Sequence, residues 1–310
     1  MSFHSTNDSS SSHHEPYEVD ECRGVLRVYS DGSIVRSSKP SFNVPINDDG
    51  SVIWKDVVFD KVNHLSLRLY KPAAAQSGSK LPVFFYIHGG GFCIGSRTWP
   101  NCQNYCLRLA SDLQAVIVAP DYRLAPENRL PAAIEDGYTA VKWLQGEAES
   151  VYEPDKWMCD VADFGNVFIC GDSAGGNIGH HLAIRLGKES AELGRVRVKG
   201  YVLLAPFFGG TVRCKSEAEG PKDAFLNLDL IDSSSLEKVE LDPILVVVGG
   251  SDLLQDRAKD YAMKLQNWGK KIEYIEFEGQ QHGFFTINPN SQPSNHLMSI
   301  IKGFIAQNST

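Results

Sequence analysis

The sequence contains no long apolar run, no cluster of basic residues and no C-x-x-C pair of cysteines. No apolar stretch approaches the roughly 20 residues that a membrane-spanning helix requires, so no membrane span is expected. Residues 1–15 are rich in serine, histidine and asparagine and lack the apolar segment of a signal peptide. We therefore expect a disordered N-terminal tail over residues 1–15.

The cysteines also point away from a disulfide framework. There are seven of them, which is an odd number, and none belongs to a C-x-x-C pair. Such usage predicts reduced thiols that pack as small apolar side chains in a reducing compartment. We expect a cytoplasmic protein, with the nucleus as a second location. The cysteines are Cys22, Cys93, Cys102, Cys106, Cys159, Cys170 and Cys214.

The charge balance is acidic, with 30 Lys and Arg residues against 38 Asp and Glu residues and a formal net charge of −8. This excess of negative charge argues against a nucleic-acid partner. A chain of 310 residues that is 42% hydrophobic suits one large α/β domain or two smaller ones. We expect a single domain over residues 16–310, because the candidate motifs are spread from His88 to His282. The oligomeric state stays open.

Short apolar runs alternate with helical stripes along most of the chain. The runs that predict strands are 24–29, 53–59, 65–70, 83–87, 116–119, 167–170, 201–204, 244–248 and 272–277. The helical stripes cover residues 99–113, 134–141, 178–186, 254–268 and 297–304. This alternation predicts an α/β fold with a mostly parallel central sheet and helices on both of its faces.

A G-x-S-x-G pentapeptide, Gly171–Gly175, stands between an apolar run and a helical stripe. Its two glycines leave room for a tight turn that would expose the hydroxyl of Ser173. A serine hydroxyl is a poor nucleophile unless a base within hydrogen-bond reach takes its proton. The pentapeptide predicts a nucleophile at Ser173, although by itself it is also compatible with an ordinary glycine-rich turn.

Candidates for the base and for the acid that orients it lie downstream. His282 follows the last apolar run and is flanked by glycine and aromatic residues, whereas His296 stands in a polar approach to the last helix. Asp252 follows a strand that ends in two glycines, where the active sites of open α/β sheets collect. Asp256 is the rival acid, and its neighbour Arg257 indicates a surface ion pair. We expect Asp252 to hold His282 in the tautomer that accepts the serine proton.

Three consecutive glycines, Gly89–Gly91, follow His88 directly after a buried strand. Glycines at this place let backbone N–H groups approach a developing oxyanion, and a flexible linker is the alternative. We expect His88 to orient this loop rather than to transfer protons. The charged residues of 121–127 are expected to form an ion-pair network that braces the catalytic loops. The candidate oxyanion donors are the backbone N–H groups of Gly90, Gly91 and Ala174.

Four motifs carry a family resemblance: HGGGF at 88–92, DYRLAPE at 121–127, GDSAGGN at 171–177 and QHGF at 281–284. They resemble the hormone-sensitive-lipase-like branch of the α/β-hydrolases, and within it the plant carboxylesterases. The resemblance implies an α/β-hydrolase fold, a Ser-His-Asp triad, and no metal or cofactor. The residues that support these motifs are His88, Gly89, Gly171, Asp172 and Gly175. Three further stretches, 96–100, 206–210 and 216–221, are similar to the carboxylesterase 15-like group, whose members are implicated in hydrolysing strigolactone esters.

The same resemblance implies a lid, built from residues 17–44 and from the segment after Pro206. Relatives have a longer stretch before residues 239–243, whereas here only residues 230–238 bridge this interval. We therefore expect a shortened insertion, which leaves the shape of the pocket open.

The combined expectation is a serine carboxylesterase that hydrolyses a small lipophilic ester, such as a strigolactone-type ester, through an acyl-enzyme. Two alternatives stay open: a small-molecule receptor with a vestigial triad, and a 2-hydroxyisoflavanone-type dehydratase. Five aromatic residues are candidates for the substrate wall, and core packing would explain each of them equally well. They are Phe92, Phe207, Phe208, Phe284 and Phe285.

Overall fold

The computed structural model describes residues 15–37, 39, 44–149, 154–210, 212–219 and 236–309. The expected tail at 1–15 lies outside these residues except for Glu15, and so do residues 220–235, which include most of the shortened insertion. The chain divides into two compact units, Met1–Ser41 and Phe42–Thr310. The expectations of one domain over 16–310 and of a lid that includes residues 17–44 stay predictions.

The first unit contains a small antiparallel sheet. Its strands, in the order β1-β2-β3, are β1 (Glu18–Cys22), β2 (Leu26–Tyr29) and β3 (Ile34–Arg36). Gly24 at φ 67° and Gly32 at φ 81° lie in the two turns, where a left-handed backbone favours glycine. Of these strands only β2 coincides with a predicted run, because β1 is acidic and β3 is short.

The second unit is organised around an eight-stranded sheet. Its strands are β4 (Val52–Asp60), β5 (Leu65–Pro72), β6 (Leu81–Ile87), β7 (Val116–Pro120), β8 (Ala162–Asp172), β9 (Val198–Leu204), β10 (Ile244–Gly249) and β11 (Ile272–Phe277). They lie in the order β11-β10-β9-β8-β6-β7-β5-β4. β5 is antiparallel to β4 and to β7, and every other neighbouring pair is parallel. The prediction of a mostly parallel sheet is confirmed.

Helices connect the strands. They are α1 (Pro100–Leu113), α2 (Ala132–Glu149), α3 (Lys156–Cys159), α4 (Ala174–Glu189), α5 (Lys215–Glu219), α6 (Gln255–Asn267), α7 (Phe284–Ile287) and α8 (Gln292–Asn308), with a 3-10 turn at Ser190–Leu193. The five long helices match the predicted stripes, whereas α3, α5 and α7 are too short to show a helical period. No helix in the described part of the chain has the length and hydropathy needed to cross a bilayer.

The core forms two layers, one on each face of the sheet. Along β6, Val83, Phe85 and Ile87 belong to the layer that contains residues of α2, α4 and α6. The alternate residues Phe84 and Tyr86 belong to the layer that contains α1 and α8. Because a strand turns successive side chains to opposite faces, a continuous apolar run is what a sheet covered on both sides requires.

Candidate active site

The candidate catalytic residues follow four parallel strands of the sheet. The glycine loop follows β6, Ser173 follows β8, Asp252 follows β10, and His282 follows β11. Because these strands run in the same direction, their carboxyl ends lie at one edge of the sheet, where the ligands of open α/β folds bind. The sheet topology therefore brings together pieces that are far apart in sequence.

Ser173 is the single residue between β8 and α4, and it has a left-handed backbone with φ 54°. Its N–H donates to the carbonyl of Leu204 at 2.8 Å, and its own carbonyl accepts from the N–H of Phe207 at 2.9 Å. A positive φ is uncommon outside glycine and stays populated only where the surroundings impose it. The strand-to-helix turn therefore holds this serine in the strained geometry of a nucleophile elbow.

The two glycines of the pentapeptide are required by close contacts. A Cβ on Gly171 would lie 2.1 Å from the carbonyl oxygen of Gly175. A Cβ on Gly175 would lie 2.0 Å from the carbonyl oxygen of Ile87, the last residue of β6. Since neither space can hold a methyl group, both positions admit only glycine without movement of the backbone.

Asp252 and His282 form a pair of a buried carboxylate and a partly exposed imidazole. His282 Nδ1 lies 2.8 Å from Asp252 Oδ2, and Asp252 is only 2% exposed. The other carboxylate oxygen, Oδ1, accepts the backbone N–H of Leu254 at 2.8 Å, so both oxygens of the carboxylate are hydrogen-bonded. The His282 side chain is 35% exposed, which leaves its outer face open to solvent. The pair has the geometry in which a carboxylate orients a catalytic imidazole.

The rival acid has a different partner. Asp256 Oδ2 accepts the backbone N–H of Ser216 at 2.8 Å. Its neighbour Arg257 makes an ion pair with Glu217, with Nε at 2.8 Å from Oε1, and not the surface pair with Asp256 that the sequence indicated. Asp256 thus anchors the first turn of α5.

The glycine loop packs directly against the elbow. A Cβ on Gly89 would lie 2.8 Å from Asp172 Oδ2 and 3.1 Å from the Cβ of Ser173. Gly90 has φ 122° and Gly91 φ 61°, and the carbonyl of Gly90 accepts the N–H groups of Cys93 and Ile94. This tight turn brings loop backbone within van der Waals contact of the candidate nucleophile.

His88 is buried within this loop, at 4% exposure. Its Nδ1 lies 2.7 Å from the carbonyl oxygen of Gly89, and its ring stacks on Tyr122 at 4.4 Å between centroids. The Tyr122 hydroxyl also donates to the carbonyl of His88 at 3.0 Å. These contacts are those of a side chain that fixes loop conformation.

Two charged residues of 121–127, Asp121 and Arg123, pair with residues outside this stretch. Asp121 Oδ1 accepts the backbone N–H of Arg97 at 2.6 Å, and the Arg97 guanidinium also contacts its carboxylate. Arg123 instead donates to both carboxylate oxygens of Asp136, at 2.7–3.0 Å. Asp136 lies outside every recognised motif, and nothing in the stretch 96–100 marks Arg97 as a partner of Asp121, so no local signal could identify either contact.

All five aromatic residues proposed as a substrate wall are buried, at 7% exposure or less, and belong to the two core layers. Phe208 is fully buried between His180 and Tyr261, with ring centroids at 5.3 and 4.5 Å. Phe285, which is 2% exposed, packs on Tyr105, and Phe284 packs on Phe277.

Phe92 and Phe207, at 5% and 7% exposure, belong to the core layer that also contains residues of the elbow helix α4. The rings of Phe92 and Phe207 are 5.8 Å apart, and Phe207 is bonded to Ser173 through its backbone N–H. Asn177 adds a contact that sequence reasoning missed, because its Nδ2 donates to the carbonyl of Phe207 at 2.9 Å. The motif GDSAGGN contains this residue, and it ties the elbow helix to the segment after β9.

Within the described ranges, no group of three or more His, Cys, Asp and Glu side chains could hold a metal ion. All seven cysteines are free thiols.

Comparison with known proteins identifies the family. Residues 84–235 and 228–286 match the sequence profile of the family described as alpha/beta hydrolase fold. The chain belongs to the α/β-hydrolase family. The chain is similar to the solved structure of an esterase from Pyrobaculum calidifontis. The two sequences are 28% identical and the TM-score is 0.66, over 86% of this hydrolase and 88% of the esterase.

The hydrolase is similar to two named plant proteins along nearly its whole length. It is 32% identical to the Arabidopsis thaliana protein named Probable carboxylesterase 3, over 96% of this chain and 98% of that protein. It is 34% identical to a 2-hydroxyisoflavanone dehydratase of Glycyrrhiza echinata, over 93% of this chain and 96% of the dehydratase. The likeness is to plant carboxylesterases as a group, and the narrower likeness to the carboxylesterase 15-like proteins stays a prediction.

Proposed function

We propose that this hydrolase is a serine carboxylesterase in which Ser173 is the nucleophile, His282 the general base and Asp252 the orienting acid. The observation that carries the proposal is the bond of 2.8 Å between His282 Nδ1 and the buried carboxylate of Asp252. This bond leaves Nε2 of the imidazole as the nitrogen able to accept a proton. A buried and doubly anchored carboxylate costs free energy unless its charge stabilises something, and an imidazolium formed during catalysis fits that requirement.

The reaction has two halves. In acylation, Ser173 Oγ forms a bond to the ester carbonyl carbon while His282 takes the hydroxyl proton and then returns it to the leaving alcohol. In deacylation, His282 takes a proton from water, the water oxygen bonds to the acyl carbon, and the proton passes back to Ser173 as the acid leaves. Atoms and charges balance over the cycle, and water is the only co-reactant.

The oxyanion of each tetrahedral intermediate needs donors that are already in place. The backbone N–H groups of Gly90, Gly91 and Ala174 are the proposed donors. What supports them is the packing of Gly89 against Ser173 and the position of Ala174 as the first residue of α4. Loss of one such donor costs roughly 2.7–4 kcal/mol of transition-state stabilisation.

The proposed substrate is a small lipophilic ester. Phe207, which is bonded to Ser173 through its backbone, and Phe92, which packs on it, are the proposed apolar contacts for an acyl or alcohol group. A strigolactone-type ester is the narrower proposal, and it rests on the sequence similarity at 96–100, 206–210 and 216–221. The choice between ester classes requires a substrate panel.

Dehydration is the second candidate function, because the similarity to the 2-hydroxyisoflavanone dehydratase covers 96% of that enzyme. A base in the position of His282 could remove a proton next to a carbonyl while a hydroxyl leaves from the neighbouring carbon as water. Product mass separates the two reactions, since hydrolysis adds the mass of water and dehydration removes it.

The test combines labelling with turnover. Purified protein is treated with a fluorophosphonate probe and assayed on p-nitrophenyl acetate, beside Ser173→Ala as the matched control. We expect labelling and hydrolysis by the wild-type protein and neither by Ser173→Ala. A panel that includes strigolactone analogues and 2-hydroxyisoflavanones then assigns the substrate class by product mass. Hydrolysis no faster than that of Ser173→Ala contradicts the esterase, and tight ligand binding unaffected by this substitution would indicate a receptor instead.

A further inference from the structure

Asp172 carries an acidic side chain beside the candidate nucleophile that the proposed chemistry does not use. It is the last residue of β8 and precedes Ser173. Its Oδ1 accepts the hydroxyl of Tyr86 at 3.0 Å, and its carboxylate also accepts the backbone N–H of Gly89. Both donors come from the neighbouring strand β6 and the loop that follows it. The carboxylate therefore links the elbow to the glycine loop through hydrogen bonds rather than through packing alone.

The packing around this carboxylate is close. The Cα of Gly89 lies so near that a Cβ there would stand 2.8 Å from Asp172 Oδ2. Tyr86 is 1% exposed, and burial together with the charge of Asp172 raises its pKa, so its hydroxyl keeps its proton and donates. The carboxylate of Asp172 thus accepts one hydrogen bond from strand β6 and one from the glycine loop that follows this strand.

The groups around Asp172 favour the ionised form of its carboxyl, whereas burial opposes ionisation. Desolvation raises the pKa of the Asp172 carboxyl overall, whereas the Tyr86 hydroxyl, His88, His282 and the Gly89 amide each lower it. A buried carboxyl is expensive to retain unless hydrogen bonds compensate its burial or it contributes to function. An apolar side chain at the end of β8 would avoid this cost, but it could not hold an amide N–H.

We propose that Asp172 is a positioning residue that fixes the glycine loop against the elbow, so that the N–H groups of Gly90 and Gly91 face the reacting carbonyl. The inference rests on the proposed esterase function. Asp172 does not contact the substrate in this scheme, and it acts through Gly89 and Tyr86. Oxyanion donors stabilise the transition state only when they are already aimed at the oxygen that develops charge. Loss of Asp172 should therefore lower kcat far more than it changes KM.

Two substitutions separate the hydrogen bonds from the charge. In Asp172→Asn, the amide oxygen can accept the Gly89 N–H while the amide nitrogen donates to the Tyr86 oxygen, so the link survives without charge. In Asp172→Ala, both bonds are lost. We expect kcat on p-nitrophenyl acetate to fall on the order of 10²-fold in the alanine variant, the effect of a lost oxyanion donor. KM should change less than about threefold, and the asparagine variant should recover most of the activity.

The matched control is Asp163→Ala on the same strand. Asp163 Oδ1 also accepts a glycine N–H, that of Gly165 at 3.1 Å, but at the opposite end of β8. We expect this variant to keep wild-type kcat. Equal losses in Asp163→Ala and Asp172→Ala, or equal losses in the asparagine and alanine variants of Asp172, would overturn the proposal.

Amide hydrogen exchange gives a readout that does not depend on activity. Exchange at residues 88–95 should accelerate in Asp172→Ala and stay near wild type in Asp172→Asn. If the wild-type protein hydrolyses no ester while this difference in exchange is present, the esterase proposal fails and the positioning role stands. Unchanged exchange in Asp172→Ala would overturn the positioning role, whether or not the wild-type protein is an esterase.

Discussion

Gly175→Ala is the substitution whose effect can be worked most directly from the geometry of the site. The added methyl group would lie 2.0 Å from the carbonyl oxygen of Ile87 and 2.7 Å from that of His88. Cβ contacts shorter than 3.0 Å essentially do not occur, so the end of β6 has to retreat from the elbow by about 1 Å. That displacement is carried to the glycine loop, because the loop begins at His88. A misplacement of this size can cost about 10²-fold in rate.

The expected result is therefore a drop in kcat/KM of about 10²-fold, with a loss of stability of about 1–3 kcal/mol from overpacking. Both are measured on purified protein, by p-nitrophenyl acetate turnover and by denaturant unfolding. Gly303→Ala is the matched control, because Gly303 lies in helix α8 and a Cβ there meets nothing within 4 Å. Glycine costs a helix interior roughly 0.5–1 kcal/mol relative to alanine, so this control should be as active as wild type and slightly more stable. Wild-type activity in Gly175→Ala would refute the idea that the elbow and the loop interlock.

Three further substitutions test other parts of the structure. Asp252→Asn should lower kcat about 10⁴-fold with KM little changed, because the imidazole loses its orienting carboxylate, and a loss below tenfold in ester turnover would contradict the assignment. Glu217→Gln should cost at most about 3 kcal/mol of unfolding free energy at neutral pH, since Arg257 lowers the pKa of Glu217 to about 2. This stabilisation is complete above pH 4.5, the ordinary pKa of glutamate, and is lost as the pH falls towards 2. In urea unfolding, the unfolding free energies of the variant and of wild type should therefore converge in acid. A difference that stays constant with pH would be inconsistent with an ion pair. Burial lowers the pKa of His181 to about 4, so below pH 6.5 the His181 imidazole takes up a proton in the unfolded chain while it stays neutral in the folded protein. As the pH falls from 6.5 to 4, His181→Gln should therefore lose less stability than wild type. Parallel curves of melting temperature against pH for the two proteins would count against this prediction.

The central sheet was predictable because its strands carry their own signal. Runs such as 83–87 and 244–248 are apolar at every position, as strands covered on both faces must be. Strand ends were less well predicted. β8 begins at Ala162, five residues before the predicted run, because Asp163, Gly165 and Asn166 interrupt the apolar pattern. The register of this strand shifts against β6 at the same point, and such an irregularity depends on the partner strand rather than on local sequence.

Some residues of the candidate site could be predicted from local motifs, whereas others depend on the fold. The positions of Ser173 and His282 at the strand ends follow from local motifs, whereas the choice between Asp252 and Asp256 depends on which carboxylate faces the imidazole. The two acids are four residues apart, and only the fold shows that the carboxylate of Asp256 accepts the backbone N–H of Ser216.

The surroundings of the candidate wall residues could not be predicted for a related reason. Two neighbouring phenylalanines in sequence point in different directions once the backbone is fixed. Within the same core layer, Phe207 packs on Phe92, whereas Phe208 packs on Tyr261. Composition and spacing are the same for both residues, so nothing in the sequence separates them.

The contacts at Gly175 and at Gly89 have a common consequence. Each glycine is pressed against backbone or side chain of the other motif, so the elbow and the glycine loop cannot move independently. The catalytic geometry is therefore set by a unit that tolerates little change, and any adjustment of substrate preference has to come from residues outside it. In the proposed scheme Phe207 is a candidate for such adjustment, because its side chain takes no part in the hydrogen bonds of this unit. This separation would let one rigid reaction centre serve esters of different shape while the rate of its chemical step is preserved.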